Sequence, residues 1–146
     1  MGHILAIDQG TTNTKALLID ELGAIVVSAS RAVEQSYPAP AWVEQDALEL
    51  WYSVQHVIEA CLAEAGTDQL TALAVTNQRE AVLLWEKSSG QPLGPCIGWQ
   101  CRRTAPACDA LKANGHEALI RERTGLMIDP LFSATKARWL LDHVED

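Results

Sequence analysis

The sequence predicts a mixed α/β fold in the order strand, strand, strand, helix, strand, with the last strand parallel to the first and helices after it. Three observations carry this. Two apolar runs, Ile4-Leu5-Ala6-Ile7 and Ala16-Leu17-Leu18-Ile19, flank a polar turn like the arms of a β-hairpin. A helical period opens at Asp46, and an apolar run from Leu70 to Thr76 follows it, which is a crossover back into the sheet. Strand-strand-strand-helix-strand is not the order of a doubly wound Rossmann sheet, and neither Gly-x-Gly-x-x-Gly nor Gly-x-x-x-x-Gly-Lys occurs.

The elements follow in turn. Glu21-Leu22-Gly23-Ala24 makes a tight turn into Ile25-Val26-Val27, the third strand of a meander, and Pro38 and Pro40 then interrupt. Asp46 with Glu49 three residues on has the form of a capping box. Leu48, Trp51, Val54, Ile58, Cys61 and Leu62 continue at helical spacing until Gly66. Beyond Glu80, Val82-Leu83-Leu84-Trp85 turns at Ser88-Ser89-Gly90 and returns through Pro95 to Trp99, a hairpin-like excursion. Three helices complete the chain: about Thr104 to Asn114 closed by Gly115, His116 to Thr124 closed by Gly125, and Ser133 onward with Ala137, Leu140, Leu141 and Val144 on one face.

With 146 residues, 48% hydrophobic and 21% charged, the chain has the composition of one globular domain with a sizeable core. A net charge of −8 argues against nucleic acid or an anionic membrane surface as partner, since both are bound by clustered Lys and Arg. Neither a leader nor a long apolar stretch is read at the N-terminus. Cys61, Cys96, Cys101 and Cys108 show no Cys-x-x-Cys pairing and read as buried reduced thiols, so a cytoplasmic location is expected. The scattered histidines build no metal site.

The chemistry concentrates at Asp8-Gln9-Gly10-Thr11-Thr12-Asn13-Thr14-Lys15. A carboxylate beside a hydroxyl-rich glycine turn suits a metal-bound polyphosphate, met by backbone N–H groups and the hydroxyls of Thr11 and Thr12. The same residues also serve ordinary hairpins, and Asp8 could simply end a strand. A second polar cluster, Thr76-Asn77-Gln78-Arg79-Glu80 after Leu73-Ala74-Val75, tips the balance towards function.

These motifs, with Trp42-Val43-Glu44-Gln45-Asp46, Trp99-Gln100-Cys101-Arg102-Arg103-Thr104 and Thr124-Gly125-Leu126-Met127-Ile128-Asp129-Pro130, resemble the FGGY carbohydrate kinases, the glycerol kinases above all. The resemblance spans the chain. It implies a ribonuclease-H-like fold of the actin-like ATPase group, here the N-terminal part of the first domain with the second absent. ATP and Mg²⁺ are the implied cofactors and a polyol or sugar the implied substrate. Asp8 would hold Mg²⁺, largely through water. Thr11, Thr12 and Asn13 would bind the nucleotide phosphates, with Thr11 also on the substrate side. Lys15 reads equally as added positive charge there and as a solvated strand-end lysine.

Arg79 and Glu80 resemble the polyol clamp of the family: a guanidinium only donates and a carboxylate only accepts, so the pair can engage neighbouring hydroxyls from both sides. Trp99 is expected as an apolar wall, its alternative being a core tryptophan. Arg102 and Arg103 are expected to be structural, and Asp129 to serve a turn or helix entry. One departure bears on substrate: the family's glycerol kinases usually carry Ile-Asp-Pro-Tyr-Phe-Ser, whereas this chain reads Ile128-Asp129-Pro130-Leu131-Phe132-Ser133. The implied proton-accepting carboxylate lies beyond residue 146, so no catalytic base is assigned within the chain. Two functions stay open: the N-terminal piece of an ATP-dependent polyol or sugar kinase, or a catalytically silent module binding a ligand or a partner. A truncated sheet exposes apolar surface, so a homo-oligomer is expected.

Overall fold

The computed structural model describes residues 2–66 and 69–143. The chain divides into two compact units, Met1–Gln35 with Asp46–Gln78, and Ser36–Gln45 with Arg79–Asp146.

The first unit holds β1 (His3–Gln9), β2 (Asn13–Ile19), β3 (Ile25–Ala32), a fourth strand of its sheet (Leu70–Asn77) and the helix α1 (Ala47–Ala65). In chain order that fourth strand is β5, because the short strand β4 (Glu44–Gln45) precedes it in the other unit. The sheet order is β3-β2-β1-β5, with β1 antiparallel to β2 and parallel to β5, as the sequence predicts. The turn after β2 is held by Asp20, whose Oδ1 accepts from the N–H groups of Leu22 and Ala24.

Alternation along the strands decides the core. Leu5, Ile7, Ala16, Leu18 and Val27 share one face and pack on Val57 and Cys61 of α1. Each such burial contributes about 1.5–3 kcal/mol for the larger aliphatic side chains. Asp46 caps α1, its carboxylate accepting from the N–H groups of Leu48 and Glu49, and Gly66 closes it in the left-handed region. The buried stripe of α1 is Leu50, Ser53, Val57 and Cys61, rotated from the stripe expected, and Trp51 is 57% exposed. A polar member in the stripe hides it from a hydrophobic count: Ser53 faces the sheet because its hydroxyl meets that of Thr14 at 2.6 Å. Strand β5 closes the sheet as an edge, with Leu73 and Val75 exposed.

The second unit is built on β4 paired antiparallel with β6 (Cys96–Ile97), and on α2 (Ala105–Ala113), α3 (Glu117–Thr124) and α4 (Ser133–His143). The expected excursion is present as isolated antiparallel bridges, Val82 with Ile97 and Trp85 with Pro92. The pairing of β6 with β4 was not legible, since two-residue strands carry no period. Val43, Ile97, Cys101 and Leu140 form the core. On α4 the buried residues are Lys136 and Leu140, while Leu141 is exposed and Val144 lies outside the described residues.

Arg103 organises one side of this unit. Its guanidinium lies 4.0 Å from the centre of the Trp42 ring and 4.6 Å from that of Trp139, and pairs with Glu44 at 2.6 Å. Trp42 meets Trp139 edge-on, and His143 stacks on Trp139. The structural role expected for Arg103 is thereby realised.

Candidate functional site

In the first unit the β1–β2 turn is a tight loop. The Gly10 N–H donates to the Asn13 carbonyl at 2.9 Å, and a Cβ on Gly10 would lie 2.9 Å from that same oxygen, so only glycine fits. The Thr12 carbonyl accepts from Val33, which fixes the loop against the end of β3. Asp8 and Lys15 stand directly opposite each other across the hairpin, so their side chains share a face. It is the face turned away from α1, and both residues are exposed, as are Thr12 and Asn13, with Thr11 half-buried.

Thr14 is the loop residue turned inward. Ser53 donates its hydroxyl proton to the Leu50 carbonyl at 2.7 Å, so Thr14 must be the donor in the Thr14–Ser53 bond. At the neighbouring strand tip Asp8 pairs in register with Thr76 and Gln9 with Asn77, and the Gln78 N–H donates to the Gln9 carbonyl. The two polar clusters read from the sequence are therefore adjacent as far as Gln78. Among the described residues no group of three or more His, Cys, Asp or Glu side chains could enclose a metal.

In the second unit a concavity of about 360 Å³ is lined by Trp99, Gln100, Cys101, Arg102, Asp129 and Leu131. The structure thus brings the expected wall, Trp99, together with the departing residue, Leu131. Arg102 and Asp129 supply opposite charges at 4.0 Å, a loose and largely solvated pair. Asp129 also forms the expected turn, its Oδ1 accepting from the Leu131 N–H at 2.8 Å. Arg79 is exposed and does not line this concavity.

Glu80 is not in an exposed salt bridge with Arg79. Its Oε2 accepts from both the N–H and the hydroxyl of Ser133, at 2.9 and 2.7 Å, and so serves the first turn of α4. Its backbone lies in the left-handed region at φ 63°, a conformation that costs a non-glycine residue about 1–3 kcal/mol. The compensating contact comes from Lys136, fully buried, whose Nζ donates to the Glu80 carbonyl at 2.6 Å and to the Leu131 carbonyl at 2.7 Å. Burial pushes the Lys136 ammonium below its ordinary pKa, while the Glu80 carboxylate pulls it up. Sequence reasoning missed Lys136. A lysine at helical spacing ordinarily signals the solvated face, and only the four-residue offset from Leu140 hinted otherwise.

All four cysteines are free and buried. Burial raises the Cys61 thiol, and pushes that of Cys96 up to about 11.

The profile of the FGGY family of carbohydrate kinases, N-terminal domain, matches residues 3–146. The chain belongs to the FGGY family of carbohydrate kinases. Glycerol kinase 2 of Thermotoga maritima is 47% identical over 147 residues, covering 99% of this chain and 30% of that protein. A glycerol kinase of Cereibacter sphaeroides is 52% identical over 146 residues, again covering 99% of this chain and 30% of the relative. Among solved structures, Plasmodium falciparum glycerol kinase with ADP superposes with a TM-score of 0.89 at 31% identity, over 98% of this chain and 29% of that one. Xylulose kinase of Rhodospirillum rubrum gives 0.87 at 28% identity, over 97% and 30%. The FGGY chain described here therefore spans about 30% of the length of the curated relatives it matches. Its fold is the ribonuclease-H-like one of actin-like ATPases, as expected.

Proposed function

We propose that this FGGY chain is the N-terminal part of an ATP-dependent polyol or sugar kinase of the glycerol-kinase type, whose whole form transfers the γ-phosphate to a substrate hydroxyl. The observation that carries the reading is the concavity in which Trp99 and Leu131 form apolar walls beside Arg102 and Asp129, within a chain of this family. Such a lining suits a molecule with a carbon backbone and a polar edge. Arg79 and Glu80 are proposed as the donor and acceptor for neighbouring hydroxyls, Glu80 through the Oε1 that its bonds to Ser133 leave over.

Asp8, Thr11, Thr12, Asn13 and Lys15 are proposed to bind the nucleotide phosphates and their Mg²⁺. The fit is chemical: one exposed carboxylate suits a hard cation that keeps most of its water, and the tight turn at Gly10 lets backbone approach a phosphate closely. Bound Mg²⁺ would neutralise charge on the phosphates. The chain's own residues would position and orient, which is most of what phosphoryl transfer asks of a protein. The base that takes the hydroxyl proton, and the rest of the nucleotide pocket, are assigned to the remaining length that the relatives have. The Leu131 side chain neither donates nor accepts, so a substrate hydroxyl facing it would lose a partner at a cost of about 1–3 kcal/mol. The substrate is accordingly given as a polyol or sugar.

The test is turnover of ATP with a panel of polyols and ketoses, run on this chain and on the longest open reading frame containing it. Product from the longer protein alone is expected. Absence of product from the longer protein with every acceptor would overturn the reading in favour of a silent binding module.

A further inference from the structure

We propose that Lys136 is a positioning residue for acceptor binding, acting by holding Glu80 and Leu131 to one another; the acceptor-binding part of this rests on the kinase reading above. Three observations support it. The Lys136 side chain is 0% exposed, yet among the described residues no carboxylate is its direct hydrogen-bond partner: its Nζ donates to two backbone carbonyls, at 2.6 Å to Glu80 and 2.7 Å to Leu131. One carbonyl belongs to the residue in the strained left-handed conformation, the other to a wall of the concavity. The Glu80 carboxylate in turn bonds Ser133, three residues before Lys136 on the first turn of the same helix.

The result is a closed bracket. α4 grips Glu80 at its side chain through Ser133 and at its backbone through Lys136, which fixes both the direction of the carboxylate and the left-handed φ that aims it. The same ammonium fixes Leu131, so the acceptor carboxylate and the apolar wall are set by one group. A neutral apolar side chain of similar length would fill the volume and leave two partly buried carbonyls without this donor.

The experiment has two arms. On the 146-residue chain, NMR of the wild type should show a slowly exchanging Lys136 ammonium coupled to the Glu80 and Leu131 carbonyls, and Lys136→Met should raise the exchange rate of the Ser133 amide about tenfold or more. On the longer protein, Lys136→Met should raise the acceptor KM about tenfold with the ATP KM nearly unchanged, and Lys136→Arg should recover part of the loss. An unchanged Ser133 amide, or ATP and acceptor KM rising together, would overturn the proposal. If Lys136→Met does not fold, the wild-type ammonium signal decides the positioning contact, and its absence rejects it. A longer protein without turnover would defeat the kinase reading and with it the acceptor role. The first arm would still report on Glu80.

Discussion

Replacing Arg103 by methionine removes the charged centre of an otherwise aromatic cluster while keeping its volume. The ion pair to Glu44 spans 2.6 Å, with side chains 0% and 16% exposed. At an effective dielectric of about 20 the gross attraction is about 6 kcal/mol, most of which offsets the desolvation of the two ions. Removing one partner leaves Glu44 largely buried and alone, which costs about 3–5 kcal/mol. The two ring faces at 4.0 and 4.6 Å add about 0.5–2 kcal/mol each. Arg103→Met should therefore lose at least about 4 kcal/mol and, at about 2–4 °C per kcal/mol for a chain of this size, lower Tm by about 10 °C or more. Glu44→Gln should cost less, because the amide oxygen can still accept from the Arg103 guanidinium, which also keeps both rings and the Cys101 sulfur at 3.0 Å. The double variant should fall short of the sum by about 2 kcal/mol. Urea unfolding followed by tryptophan fluorescence is the assay, since Trp42, Trp85, Trp99 and Trp139 all lie in the second unit and only Trp51 in the first. A loss below about 1 kcal/mol for Arg103→Met, or additivity in the double variant, would refute the reasoning.

Four further outcomes are expected. Thr14→Val removes the proton that Ser53 accepts and should cost about 1 kcal/mol in chemical denaturation, with Ser53→Ala alone costing a similar amount and the pair coupled. Cys96, pushed up to about 11 from an ordinary 9.0, keeps its proton in the folded chain when the unfolded thiol has lost it. Its contribution is therefore full below pH 9 and declines towards pH 11, so the wild type should lose about 1 kcal/mol relative to Cys96→Ala between pH 8 and 10 in paired urea titrations. Lys136, lowered by burial, works with the opposite sign, and because its ammonium and the Cys96 thiolate attract each other the comparison reads the two groups jointly. Leu131→Tyr in the longer protein should lower the KM for glycerol about tenfold, measured by coupled ADP release, and no change would remove Leu131 from the acceptor wall. Self-association of this chain through the edge strand β5, where Leu73 and Val75 are 60% and 64% exposed, should be reduced by Val75→Lys in light scattering. A wild-type monomer at high concentration would count against that.

How far the site could be read in advance follows from chemistry as much as from position. The tight turn at Gly10 was legible because a carboxylate, a glycine and hydroxyls between two apolar runs form a pattern at fixed spacing, and alternation places Asp8 and Lys15 on one face; its phosphate-binding role is the proposal made above. That Trp99 lines a concavity rather than the core was indicated only by its motif. Arg102 was assigned a purely structural part, yet it lines the concavity with Trp99, because an arginine pair in sequence gives no sign of which member is buried. Glu80 was expected to face hydroxyls in partnership with Arg79. Its bonds to Ser133, 53 residues away, depend on where α4 begins, which no local pattern encodes.

By itself the sequence determined the strand order, the parallel return of β5, the cap of α1 at Asp46 and the tight glycine turn between β1 and β2. These arise from hydrophobic period, turn chemistry and capping, which act over a few residues or through the handedness of a crossover. Tertiary structure alone decided that Ser53 rather than Trp51 faces the sheet, that Arg103 sits between two indoles, and that a buried Lys136 holds Glu80 and Leu131. Each is a polar group drawn inward by a partner far along the chain, and burial of that kind is fixed by the partner's place in space rather than by its neighbours in sequence.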